Sequence, residues 1–177
     1  MAISESALLV IDMQRGLFYG HPAPHAAETV LSNILLLIDK ARHAEAPVFF
    51  ARHTGPDDSP FSEQSPLTQL IPELVVHEGK DRVFTKRFPS CFRDTELLLR
   101  LREKGIRRLI IAGMKTEFCV DTTCRIAAEQ GFQVVLISDA HTTVNNEYLS
   151  AEQIIGHHNR TLAGPFVRLV TTAEFYF

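Results

Sequence analysis

Six short apolar runs, rich in β-branched residues, punctuate the chain at 7–11 (ALLVI), 47–52 (PVFFAR), 82–85 (RVFT), 108–113 (RLIIAG), 132–137 (FQVVLI) and 166–170 (FVRLV). Nearly unbroken apolarity suits strands buried on both faces, as in a parallel sheet, rather than strands with one wet face. Helical periodicity fills the gaps. Val30, Ile34, Leu37, Ile38 and Ala41 share one helix face. A second helix is expected from Asp94, as N-cap, through Leu97, Leu98 and Leu101 to Gly105 as the residue past its end. A third is expected from Glu117 to Gln130 with Gly131 as its stop, and a last one opens at Ser150 with Gln153 three residues on, a capping-box pattern. Strand and helix in alternation predict βαβ units: a Rossmann-like three-layer α/β/α sandwich around a mostly parallel six-stranded sheet, one domain over 1–177. Only 54–74, rich in Pro, Ser and Asp, departs from the pattern, and it reads as a long loop over one sheet edge with the character of a lid.

Open parallel sheets bind ligands beyond the carboxyl ends of their strands, so the residues after each apolar run carry the functional signal. The first run ends in Asp12-Met13-Gln14, the second in Arg52-His53-Thr54 and the third in Lys86-Arg87. The fourth leads into GMKTEFCVDTTCR, with Cys119 where a helix should begin and Thr116 as its cap; the fifth ends in Ser138-Asp139-Ala140-His141. By position alone Cys119 is open to three readings: buried filler, metal ligand or nucleophile. A helix N-terminus and a cation such as Lys86 would favour its thiolate, and Asp12 could accept the thiol proton and later pass it to a leaving amine.

Composition narrows the field. The 177 residues suffice for a full core. A formal charge of −3 gives no basic footprint, so nucleic acid is not an expected partner. No run approaches the roughly 18 apolar residues of a membrane span, and the first residues lack the basic region of a signal peptide, so a cytoplasmic address is expected. Three cysteines without a secretion signal argue against a disulfide framework.

The segments LLVIDMQRGLF (8–18), KRFPSCFRDTEL (86–97) and GIRRLIIAGMKTEFCVDTTCRIAAEQGFQVVLISDAHTT (105–143) resemble, in order and separation, the isochorismatase-like cysteine hydrolases, the superfamily of nicotinamidases and N-carbamoylsarcosine amidase. The resemblance implies a catalytic triad of Asp12 as general base and acid, Lys86 as the cation that lowers the thiol pKa, and Cys119 as nucleophile. It implies a cis peptide between Met114 and Lys115, with the backbone N–H groups of Lys115 and Cys119 forming an oxyanion hole. The reaction implied is hydrolysis of a C–N bond in a small amide, ureide or related molecule through a covalent acyl-enzyme. No cofactor is implied. The alternatives are a vinyl-ether hydrolase and a non-catalytic binding member of the same fold.

Nicotinamidases carry a metal-binding DxH element after the second strand; here the chain reads ARHTGPDD, with Arg52 in that region and only His53 remaining, so no metal site is expected. Gln14 and His53 are candidate polar groups for orienting substrate, and Phe18, Phe92 and Phe118 are candidate pocket walls. Cys91 and Cys124 lack partners at ligand spacing and read as packing residues. The His157-His158 pair reads as solvated or hydrogen-bonded, and His141 as lining the crevice or capping a loop. The apolar last third and the resemblance together predict a homodimer or homotetramer.

Overall fold

In the computed structural model, which describes residues 4–177, the apolar runs become six strands of one sheet. In chain order they are β1 (Ser6–Ile11), β2 (Val48–His53), β3 (Arg82–Lys86), β4 (Arg108–Met114), β5 (Gln133–Thr142) and β6 (Arg168–Val170). Their order across the sheet is β3-β2-β1-β4-β5-β6, and every neighbouring pair is parallel. All six residues of β1 are buried, as a central strand covered on both faces requires.

Helices supply that cover. α2 (Ala27–His43) turns Val30, Ile34, Leu37, Ile38 and Ala41 inward, where they pack with Leu8, Val10 and Phe50 on one face of the sheet. The alternate residues Ala7, Leu9 and Ile11 face the other side. There they meet Leu97 and Leu101 of α3 (Leu97–Glu103), Cys124 and Ala127 of α4 (Asp121–Glu129), and Leu162 of α5 (Ala151–Leu162). The result is the three-layer α/β/α sandwich. A single-turn helix, α1 (Arg15–Phe18), follows β1. Among the described residues no helix is long and apolar enough to cross a membrane.

Several boundaries move. The Ser150–Gln153 capping box forms on α5 in both directions, and Gly105 and Gly131 follow α3 and α4 with positive φ. Asp94 does not cap α3: it takes φ +54° in the turn before the helix, and Glu96 stands at the N-cap without a side-chain bond. Nor does the helix after β4 start directly. A π-type turn, Thr116–Val120, precedes α4, and Cys119 lies inside it. Strand β5 continues five residues past its apolar run, with a register shift opposite Ile111 and Gly113, which lifts His141 alongside Gly113.

Gly113 explains why the fourth run ends in glycine. Its φ is +121°, and a Cβ there would overlap the Ile11 carbonyl of the adjoining strand. Strands β1 and β4 thus approach closely just before the residues that leave their ends, Asp12 and the Cys119 turn.

The 54–74 segment is irregular apart from a 3₁₀ turn at Pro66–Thr68 and an antiparallel bridge between Leu70 and Gln14, and it is pinned from within by buried Thr68, Ile71 and Leu74. The Gln14 side chain donates from Nε2 to the carbonyls of Thr68 and His53, at 2.8 and 2.9 Å, and accepts from the His53 N–H at 2.7 Å. Arg52 leans the same way, donating to the carbonyls of Thr68 and Glu63.

Candidate active site

Four strand ends deliver one polar cluster. The chain leaves β1 at Asp12, which takes the left-handed conformation (φ +52°) and is 1% exposed. Lys86 is the last residue of β3, and in register it sits beside His53, the last residue of β2. Because β2 separates β3 from β1, Lys86 must reach across roughly two strand spacings of about 4.8 Å each to meet groups beyond β1 and β4. A long amine on an unbranched stem does so.

Its ammonium is the hub of the cluster. Lys86 Nζ lies 2.8 Å from Asp12 Oδ2, 3.1 Å from His53 Nδ1, 3.2 Å from the Phe88 carbonyl and 3.2 Å from Cys119 Sγ. The Lys86 and Asp12 side chains are sealed from solvent, and Cys119 is 8% exposed. The second Asp12 oxygen, Oδ1, is buried without a hydrogen-bond partner among the described residues. A buried acceptor with nothing to accept from is costly to leave idle, and it is placed to take a proton.

Electrostatics refine the expectation for the thiol. Burial pushes the Cys119 thiol up and the Asp12 carboxylate pushes it further; the Lys86 ammonium pulls it down, as expected, but is outweighed. Cys119 at rest is therefore a thiol, not a preformed thiolate. Burial also raises Asp12 above the usual carboxylate range, against the pull of Lys86, which makes it a stronger base than an exposed aspartate. For Lys86, burial works against the charge, but Asp12 and the neighbouring thiols more than offset it, and the amine stays protonated. Moving one proton from Cys119 to Asp12 leaves the cluster's net charge unchanged, so the transfer needs no new counter-ion.

One donor atom each from Asp12, His53 and Cys119 lies within 4.8 Å of the others, a spacing that would serve a metal ion. The donor set does not fit one, because the Lys86 ammonium stands within 3.2 Å of all three and holds the position a cation would take.

The remaining expected site residues divide. The Met114–Lys115 peptide is cis. Phe118, beside the thiol, is 53% exposed, and His53 is half-buried. Gln14 is wholly buried, with its amide spent on His53 and Thr68, so it braces the site wall instead of facing a ligand. Phe18 fills the core beneath α2. Phe92 stacks on Phe132 with ring centroids 6.2 Å apart, at the far end of α4 from Cys119. Both rings are engaged in apolar packing. Cavities of about 490, 640 and 770 Å³ occur elsewhere on the molecule, and none is lined by Asp12, Lys86 or Cys119.

The other flagged residues are structural. Cys91 and Cys124 are buried in the same core cluster as Cys119, and burial pushes the Cys91 thiol up to about 12. His158 meets Asp121 at 3.0 Å, with Arg125 on the same carboxylate. Asp139 ties the C-terminal turn through the backbone N–H and hydroxyl of Thr172.

Sequence reasoning missed the support of the turn that carries Cys119. Thr116 caps nothing; its hydroxyl bonds Nδ1 of buried His141 at 2.8 Å, and His141 Nε2 meets Asn159 Oδ1 of α5 at 2.8 Å. Since Asn159 Oδ1 only accepts, His141 carries its proton on Nε2 and accepts from Thr116. His141 was visible as a strand-end polar residue, but nothing local marked Asn159 as its partner.

A family model described as Isochorismatase domain matches residues 6–173. The chain is 30% identical over 171 residues to the secreted isochorismatase effector Isc1 of Verticillium dahliae, covering 96% of this chain and 90% of that protein. It is 34% identical over 157 residues to nicotinamidase 3 of Arabidopsis thaliana, across 80% of this chain and 75% of the other. Among solved structures, an isochorismatase from Pseudomonas putida matches with a TM-score of 0.90 at 31% identity, covering 99% and 92% of the two chains. Strand order, strand-end residues and these likenesses agree, and the chain belongs to the isochorismatase family.

Proposed function

We infer that the protein hydrolyses a C–N bond of a small amide, ureide or related molecule through an acyl-enzyme on Cys119. The observation that carries this reading is the sealed cluster in which Lys86 Nζ bridges Asp12 Oδ2 and Cys119 Sγ while Asp12 Oδ1 stays free to accept a proton. A binding module has no chemical need for an acid, a cation and a thiol at three strand ends. That a relative is named a nicotinamidase supports an amide as substrate.

In the proposed reaction Asp12 Oδ1 takes the thiol proton as Sγ attacks the carbonyl carbon, and Lys86 steadies the sulfur's developing charge. The oxyanion is met by the backbone N–H groups of Lys115 and Cys119; the Lys115 N–H donates to no backbone carbonyl among the described residues. One such donor is worth about 3 kcal/mol of barrier in a water-poor site. The C–N bond breaks, and the amine leaves with the proton held on Asp12. Water then gives a proton to Asp12 and its oxygen to the thioester carbon. The S–C bond breaks, the acid departs and the thiol regains its proton.

The test is ammonia release from a panel of small amides and ureides, with intact-protein mass to trap the acyl adduct. Turnover that vanishes in Cys119→Ala, with an adduct on Cys119 in the parent, is the expected result. The second reading is vinyl-ether hydrolysis, favoured by the relatives named isochorismatases and by the protonated state of the resting thiol. Turnover of isochorismate that survives Cys119→Ala would establish it and sink the first. The three unpaired cysteines fit a reducing cytoplasm, and exposed Phe118, Tyr148, Leu149 and Tyr176 fit a homodimer or tetramer.

A further inference from the structure

We propose that His53 is a positioning residue for the nucleophile: by accepting at Nδ1 an N–H of Lys86 that Cys119 Sγ would otherwise receive, it sets the acidity of the thiol.

The argument is a count of donors. An ammonium has three N–H groups and no acceptor, yet four acceptors stand within 3.2 Å of Lys86 Nζ. Asp12 Oδ2 is the nearest, at 2.8 Å, and carries charge, so it keeps one. The Phe88 carbonyl is fixed by the chain two residues on from Lys86. His53 Nδ1 and Cys119 Sγ compete for what is left, at 3.1 and 3.2 Å. A thiol sulfur is a weak acceptor and an imidazole nitrogen a better one, so in the resting site the contested N–H goes to His53. Once the thiol proton has passed to Asp12, the thiolate is the stronger acceptor, and the N–H turns from Nδ1 to sulfur. His53 therefore keeps the thiol protonated until Asp12 acts.

His53 is built for this. It lies at the end of β2 in register with Lys86, and Gln14 clamps both its backbone N–H and its carbonyl. Facing an ammonium, Nδ1 bears no proton, so the neutral ring carries it on Nε2, which bonds to no protein group among the described residues. Burial and then the Lys86 charge hold His53 below its ordinary value, with Asp12 opposing. The charged and titratable groups facing the thiol are Asp12 and Lys86, with Cys91 beside Lys86.

The inference rests on Cys119 as the reactive thiol, and its readout needs no substrate. A failed amide screen would overturn the reaction proposed above and leave this inference standing. The experiment is iodoacetamide alkylation of the full chain across pH, read by intact mass, for wild type, His53→Phe and His53→Gln, with Cys119→Ala as background. His53→Phe keeps the ring's bulk without an acceptor; its alkylation midpoint should fall by about one pH unit, an approximately tenfold faster reaction below both midpoints. His53→Gln restores an acceptor oxygen and should return the midpoint to that of wild type. Equal midpoints for His53→Phe and wild type, or an upward shift, would overturn the proposal. Thermal unfolding reports whether each variant is folded, and His53→Leu replaces His53→Phe if that variant is not.

Discussion

Lys86 and Asp12 stand 74 residues apart in sequence, yet their side chains meet at 2.8 Å in a pair sealed from solvent. A buried charge is tolerable only while its partner is present. Asp12→Asn should therefore destabilise the fold by about 3–5 kcal/mol, because it leaves the ammonium uncompensated. The double variant Asp12→Leu with Lys86→Met should be more stable than either single change, since no charge is then stranded. Urea unfolding of wild type, Asp12→Leu, Lys86→Met and the double variant checks this; strictly additive losses would show that the two groups are not coupled.

The same carboxylate holds the thiol up. In Asp12→Asn the charge opposing a thiolate is gone while Lys86 remains, so Cys119 should be alkylated faster than in wild type at neutral pH, even as turnover falls by more than about a thousandfold. Wild-type Cys119 should react at pH 7 no faster than an ordinary thiol. Intact mass against time measures both, and slower labelling in the variant would contradict the assignment.

His141 gives a stability signature in acid. Burial holds its folded value at about 4 against an ordinary 6.5. A depressed histidine contributes stability that is complete above 6.5 and lost as pH falls toward 4, because the unfolded chain binds the proton first. At about 1.4 kcal/mol per pH unit, that is about 3 kcal/mol. Urea midpoints of wild type should drop over this window, and those of His141→Gln should drop by correspondingly less.

Gln14 joins the end of β2 to the 54–74 segment through three hydrogen bonds. Gln14→Leu removes all three and leaves buried backbone groups unpaired, at about 1–3 kcal/mol for each such group. Hydrogen exchange in residues 66–70 should rise well above wild type, while α2 and α5 stay protected. Unchanged exchange would mean that buried Thr68, Ile71 and Leu74, with the backbone bonds to Met13 and Arg15, hold the segment without the Gln14 side chain.

Gly113→Ala asks whether the close approach of β1 and β4 is obligatory. With φ at +121° and the Ile11 carbonyl in the way, the added methyl should cost more than about 4 kcal/mol. A folded, active Gly113→Ala protein would show that the two strand ends have room to separate.

Much of this molecule was legible locally. A strand covered on both faces must be apolar without interruption, so the six strands and their parallel character stood out, as did the α5 capping box and the glycines ending α3 and α4. The residues that follow the strands marked Asp12, His53, Lys86 and Cys119, because a chain leaving such a sheet can afford polar groups only at its ends.

Proton ownership and side-chain direction were not legible, since each is a sum over parts of the chain remote in sequence. The order β3-β2-β1-β4 makes Lys86 cross β2 and brings its ammonium within reach of His53. Desolvation by that assembly, and not the turn that carries Cys119, decides that the resting thiol keeps its proton. Gln14 found partners 39 and 54 residues away, and Phe18 and Phe92 turned to apolar neighbours that only the packed core supplies. The sequence determined which groups arrive at the sheet's edge, because burial dictates where polar residues fall. The tertiary structure decided which of them meet and who holds the proton, because distance and desolvation exist only once the strands are side by side.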